Sequence, residues 1–166
     1  MKYLFTLGFL VYMHSNPDEH PLQKTITEQG MELTWNYAND RIHFEMAAPT
    51  SGWLCIGFND GPSMTGAYLL MGRIVDGSSE VVAHYTQSPG NYKPLSKYGL
   101  ASTVQNVSGE ETVEGSILRF SLPTTARSDY ARNLHSGTVY TLTLAYSRSD
   151  DFDHHSAMRT SVQQEL

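Results

Sequence analysis

A methionine in a turn-rich loop and an adjacent pair of histidines in an acidic one are the residues of this chain best suited by type to hold a metal. Met64 closes the loop Asn59-Asp60-Gly61-Pro62-Ser63-Met64, just ahead of an apolar run. Its thioether is soft and neutral, so it can fill a gap at the edge of a core or present sulfur to a metal. His154 and His155 follow Ser147-Arg148-Ser149-Asp150-Asp151-Phe152-Asp153, a segment too polar for a core. An imidazole there is a solvated surface group or a ligand, and a neighbouring carboxylate would fix its tautomer and leave the other ring nitrogen for a metal. The aspartates could also serve a divalent cation, although their spacing follows no EF-hand pattern. His84, inside a strand-like run, is a reserve candidate, whereas His14, His20 and His135 have no constellation around them. No Gly-x-Ser-x-Gly elbow is present to support a hydrolase, and Asp150, Asp151 and Asp153 lie too close along one loop for opposed acid and base roles.

Met64 and the histidines are far apart in sequence, so only folding can bring them to one site. Leu33, Trp35 and Tyr37 alternate, Ala38-Asn39-Asp40 can turn the chain, and Ile42, Phe44 and Met46 alternate again, the pattern of a hairpin with one apolar face. After the break at Pro49-Thr50-Ser51-Gly52, Trp53-Leu54-Cys55-Ile56-Gly57-Phe58 is mostly apolar and predicts a central strand buried on both faces. Strands are expected from Leu69 to Val75 and from Val81 to Tyr85, around a turn at Asp76-Gly77-Ser78-Ser79. Residues 86–99, rich in Pro, Gly, Ser and Tyr, read as a long surface loop. Further strands are expected near Leu100 to Val107, Val113 to Leu122, Val139 to Tyr146 and Met158 to Leu166. Thr125 to Leu134 alone has a helical look. Strands of this kind bury their apolar faces most simply as an all-β, two-sheet antiparallel β-sandwich, with Met64 and the histidines in loops at one end.

The 166 residues, 40% hydrophobic and 17% charged, suit one domain with a substantial core. A net charge of −6 and the lack of a long basic run argue against nucleic acid or an anionic membrane as partner. The single cysteine, Cys55, excludes an internal disulfide, a Cys-based zinc site and covalent Cys-x-x-Cys-His haem attachment. At the N-terminus, Lys2 precedes an apolar run from Tyr3 to Met13, too short to span a bilayer but of signal-peptide length. The expected organisation is a signal peptide at residues 1–15 and a single domain at 16–166, in a secreted, periplasmic or extracellular protein. The alternative is an N-terminal strand packed on the domain.

Gly52 to Phe58, then Met64-Thr65-Gly66-Ala67, then Gly72-Arg73-Ile74-Val75-Asp76-Gly77, with Trp35 and its hairpin upstream, resemble the DOMON domain family. Leu142-Thr143-Leu144-Ala145-Tyr146, the acidic loop, and His155-Ser156-Ala157-Met158-Arg159 are similar to that family's last two strands, with a His-x-x-x-Arg between them. The resemblance implies an immunoglobulin-like β-sandwich of DOMON type that, in cytochrome-type members, holds one b-type haem non-covalently between a methionine and a histidine. Met64 and His155 match those positions. His154 is the alternative ligand, but only His155 forms His-x-x-x-Arg with Arg159. The ring's apolar slot would draw on Leu69, Met71, Tyr85, Tyr92, Tyr98 and Tyr146, and its propionate rim on Arg148 or Arg159. Two positions depart from the family pattern: Tyr68 stands where members often carry Asp, and the Trp often found near Arg73 is missing.

The implied function is an exported haem-b electron-transfer domain that is not itself an enzyme. Its partner would be a redox protein or a membrane cytochrome. The alternative is a haem-free module binding carbohydrate or a protein, with Tyr92 and Tyr98 as a stacking platform. Export has a direct check: N-terminal sequencing of natively produced protein is expected to begin near Asn16, and an intact Met1 in a cytoplasmic fraction would count against it.

Overall fold

The computed structural model describes residues 22–166, so the expected signal peptide and the first residues of the expected domain lie outside it. Eleven strands follow in chain order: β1 (Lys24–Glu28), β2 (Met31–Ala38), β3 (Arg41–Ala48), β4 (Leu54–Asn59), β5 (Tyr68–Val75), β6 (Ser78–Ser88), β7 (Asn91–Pro94), β8 (Gln105–Thr112), β9 (Gly115–Pro123), β10 (Val139–Tyr146) and β11 (Met158–Glu165). They form two antiparallel sheets, ordered β1-β2-β3-β9-β8 and β11-β10-β4-β5-β6-β7. The fold is the expected two-sheet sandwich. Among the described residues no helix is long and apolar enough to cross a membrane.

Period-two patterning decides which side chains meet between the sheets. Leu33, Trp35, Ile42, Phe44, Met46, Leu118 and Phe120 of the five-stranded sheet face Leu54, Ile56, Phe58, Leu70, Leu142 and Leu144 of the other, all buried. Phe58 is the bridge, its ring centroid 5.8 Å from Phe44 across the interface and 5.8 Å from Tyr140 on its own sheet. The β2–β3 hairpin closes through Asn39 and Asp40, both at positive φ (51° and 58°), a backbone state that short polar residues tolerate and that matches strand twist.

Three local expectations are corrected. Residues 86–99 are not a free loop: β6 runs on to Ser88, β7 pairs back on it with a bulge between Thr86 and Ser88, and a 3₁₀ turn spans Leu95–Tyr98. The turn residues of that stretch mark tight connections. Thr125–Leu134 forms turns and bends in place of a helix, tied by Leu134 N–H to the Thr124 carbonyl at 2.7 Å and by Ala126 N–H to the Asn133 side chain at 2.8 Å. The strand expected near Leu100 to Val107 begins only at Gln105 and runs to Thr112.

Because Phe58 links the two layers, Phe58→Ala is expected to lower stability by roughly 3–5 kcal/mol. Chemical denaturation followed by tryptophan fluorescence checks this, and a loss below about 1 kcal/mol would be inconsistent with such a bridge.

Candidate functional site

The six-stranded sheet has a second apolar face, pointing away from the sandwich core. On it Cys55, Leu69, Met71 and Ala145 pack with Trp53 and Ala67, all buried, and Met64, Tyr92 and Phe152 lean against them. Register places these residues side by side: Ala145 opposite Cys55, Cys55 opposite Met71, and Thr143, Gly57 and Leu69 in one row. Gly57 keeps the centre of this floor flat, since a Cβ there would come within 2.6 Å of Leu69 Cδ2.

A cleft of about 160 Å³ lies over this floor. Its lining includes Trp53, Cys55, Met64, Leu69, Met71, Tyr92, Thr143 and Ala145, with Asp153, His154, His155 and Arg159 towards solvent. That volume is below the ~300–1,000 Å³ usual for small-molecule pockets, so a larger ligand would extend beyond the cleft into solvent.

The two loops that supply the chemistry come from opposite ends of the sheet, contrary to expectation. The β4–β5 loop carrying Met64 leaves from Asn59, whereas the β10–β11 loop carrying His154 and His155 leaves beside Leu54, because Tyr146 pairs with Leu54 and Thr141 with Asn59. Those ends are about 17 Å apart at ~3.3 Å per residue. Both loops line one cleft only because each folds inward over the outer face.

Each loop is pinned through its backbone. Asn59 Nδ2 donates to the Thr65 carbonyl at 3.1 Å, Arg132 Nη2 to the Gly66 carbonyl at 2.5 Å, and Gly66 N–H to the Thr86 carbonyl at 2.8 Å. On the histidine side, Arg73 Nη1 donates to the Asp150 carbonyl at 2.8 Å and carries the Phe152 ring 4.5 Å from its guanidinium carbon. Tyr92 donates its hydroxyl to the Phe152 carbonyl. Ser147 Oγ donates to the His155 carbonyl at 3.0 Å, and His154 N–H to the Asp151 carbonyl at 2.9 Å. Gly52 permits this closure, since a Cβ there would lie 2.5 Å from Ser147 O and Ser149 N.

Of the residues singled out from sequence, Met64, His154, His155, Arg159, Leu69, Met71 and Tyr92 line the cleft. Tyr146 and Tyr85 project to the opposite face and pack with Tyr98 against the inter-sheet core, because they alternate out of phase with Ala145 and His84. Tyr98 stacks on Tyr130 with centroids 4.5 Å apart, so it forms no joint platform with Tyr92. Arg148 is exposed and does not line the cleft. Trp53, Cys55 and Thr143 were not singled out as site residues, although the two-sided apolar run from Trp53 to Phe58 held the signal for the first two. Burial pushes the Cys55 thiol up to about 12, so it stays protonated at neutral pH and gives no thiolate ligand.

His84 is buried, 4% exposed, beneath Tyr92 and Phe152, each ring meeting it edge-on with centroids 5.7 Å away. Its Nδ1–H donates to the Val82 carbonyl at 3.0 Å. It does not line the cleft; it is a buttress beneath the histidine loop. Burial lowers its pKa from 6.5, against smaller upward effects of the Val82 hydrogen bond and Asp153.

The structure is thus a β-sandwich with an apolar, one-sided cleft rimmed by a thioether and two imidazoles. Its sequence matches the DOMON domain model over residues 27–147, and the chain belongs to that family. Among solved structures it is similar to the cytochrome b domain of pyranose dehydrogenase from Coprinopsis cinerea, with a TM-score of 0.58 at 13% identity over 85% of this chain and 80% of that one. It is also similar to the cytochrome domain of Myriococcum thermophilum cellobiose dehydrogenase, with a TM-score of 0.59 at 11% identity over 87% of this chain and 81% of that one. At these identities the likeness is one of fold. No curated protein matches the sequence.

The buttress makes a pH prediction. Below pH 6.5 the unfolded chain protonates His84 while the folded protein resists, so the fold loses stability as pH falls from 6.5 through the depressed native pKa. The slope from this one group is at most about 1.4 kcal/mol per pH unit. Urea unfolding at stepped pH is expected to show a shallower acid slope for His84→Gln than for the parent; equal slopes would remove His84 as the cause.

Proposed function

We propose that this chain is a haem-b electron-transfer domain with Met64 and His155 as the axial ligands, working after export and catalysing no reaction of its own. The observation that carries it is the meeting of Met64 and His155 at one apolar cleft, from loops at opposite ends of the six-stranded sheet. The cytochrome domains of similar fold support the reading.

The residues present fit the group. A neutral thioether and an imidazole are a suitable axial pair for haem iron. Trp53, Leu69, Met71 and Ala145 offer an apolar bed, and exposed Arg159 can pair with a propionate. Trp53 Nε1 and Thr86 Oγ1 are buried without partners at the same cleft, two polar groups that a polar ligand edge could satisfy. Bound there, haem b supplies a one-electron couple.

With haem bound, Met64 and His155 would supply its two protein ligands, the apolar floor would exclude water, and His155 would stand at the solvent edge. Donor and acceptor then lie outside this domain, a redox enzyme or a membrane cytochrome among them. The chain's net charge of −6 favours a basic patch on such a partner and an encounter that weakens with salt.

Protein expressed with adequate haem is expected to show a six-coordinate low-spin spectrum and to bind carbon monoxide poorly when reduced. His155→Ala is expected to abolish that spectrum and His154→Ala to leave it nearly intact. The reverse pattern would transfer the ligand to His154. A parent chain that takes up no haem would defeat the proposal and leave the cleft to a haem-free ligand.

A further inference from the structure

Thr143 is the one polar residue in the central row of the cleft floor, 5% exposed between Gly57 and the neighbouring strand β11. A buried hydroxyl needs partners, and this one has two. Its Oγ1 lies 3.6 Å from Met64 Sδ and 3.2 Å from Ser161 Oγ. Each hydroxyl carries one proton. If Thr143 spends its own on Met64, Ser161 must donate to Thr143, giving a polarised chain from the exposed Ser161 through Thr143 to the thioether. Donation along such a chain is mutually strengthening.

We infer that Thr143 is a positioning residue that fixes the Met64 sulfur over the cleft and raises the reduction potential of the couple that sulfur ligates. The inference rests on the haem reading above. A thioether has one lone pair for iron and another free to accept a hydrogen bond, so Thr143 need not compete with ligation. By drawing electron density from sulfur, the Thr143 hydroxyl weakens its donation to the metal. The electron-poorer ferric state depends more on that donation, so the balance shifts towards ferrous. Met64 leaves its loop at the far end of β4, and the hydroxyl also holds its flexible side chain above the row formed by Thr143, Gly57 and Leu69. A threonine serving only to pack the floor would have no such effect on sulfur.

The test uses the full chain with Thr143→Val, which keeps the shape and removes the hydroxyl, and Thr143→Ser, which keeps the hydroxyl. In spectroelectrochemical titration of haem-loaded protein, at the poise where the parent is half reduced, Thr143→Val is expected to be mostly oxidised and Thr143→Ser close to the parent. In haem-free protein carrying ¹³C-methyl methionine, the Met64 resonance is expected to move towards its unstructured position and sharpen in Thr143→Val only. Ser161→Ala, on the exposed end of the chain, gives a smaller shift of potential in the same direction and covers the case in which Thr143→Val folds poorly. A Met64-ligated parent whose potential is unmoved by Thr143→Val, or by Ser161→Ala where that variant stands in, overturns this role and leaves the haem reading intact. Failure of Thr143→Ser to restore the potential also overturns the role. A parent that takes up no haem overturns both, whatever the methyl resonance shows.

Discussion

The six-stranded sheet is apolar on both faces, while the five-stranded sheet can cover only one. Leu54, Ile56 and Phe58 of the central strand β4 are fully buried towards the other sheet, and Cys55 on its reverse side is buried as well. Apolar area left in water costs about 25 cal/mol per Å², so the outer face must be covered by something other than a sheet. The histidine loop covers the half over β5 and β6 with Phe152, and the Met64 loop leans in from the far end. The cleft is the strip that neither reaches. Its position follows from how far two loops can fold over one face.

Charge holds the larger cover down. The loop from Ser147 to Ala157 carries three aspartates, yet it lies against the sheet because Arg73 binds it through the Asp150 carbonyl and the Phe152 ring while its Nε engages Glu80 at 2.5 Å. A surface ion pair alone is worth little. Here Glu80 fixes the guanidinium so that its flat face stays available to Phe152 and its remaining N–H groups to the backbone. Within the loop, Asp151 accepts the Asp153 N–H at 3.0 Å, so one carboxylate shapes the turn that leads to the histidines.

The fold was legible wherever a strand has one apolar face. The β2–β3 hairpin shows in the alternation of Leu33, Trp35, Ile42 and Phe44; the central position of β4 shows instead in its unbroken apolar run, and the last two strands, ending at Tyr146 and Glu165, lie within a residue of their expected bounds. Composition misled at residues 86–99, where Pro, Gly and Ser mark a bulge and tight turns. At the site, Met64, His155 and Arg159 were legible as types in order, through a family resemblance. Their geometry was not: which end of the sheet a loop occupies depends on strand order, and β10 pairs with β4 across a long stretch of sequence. Tyr146 shows the cost of ignoring phase. It adjoins Ala145 in sequence, and one step along a strand reverses the face.

Both loops are attached to the sheet through main-chain hydrogen bonds, and this suits the site to electron transfer on the haem reading. A redox centre works fastest when its ligands need not move between oxidation states. Met64 is flanked by backbone groups tied to Asn59, Arg132 and Thr86. The carbonyl of His155 is tied to Ser147, itself fully buried. The two anchors differ in exposure: Met64 is half-buried against the floor, whereas His154, His155 and Arg159 are exposed. On the haem reading the solvent edge of the cleft is therefore the histidine side. On that reading a redox partner would approach from this side, where Asp153 and Arg159 carry the charges of the rim.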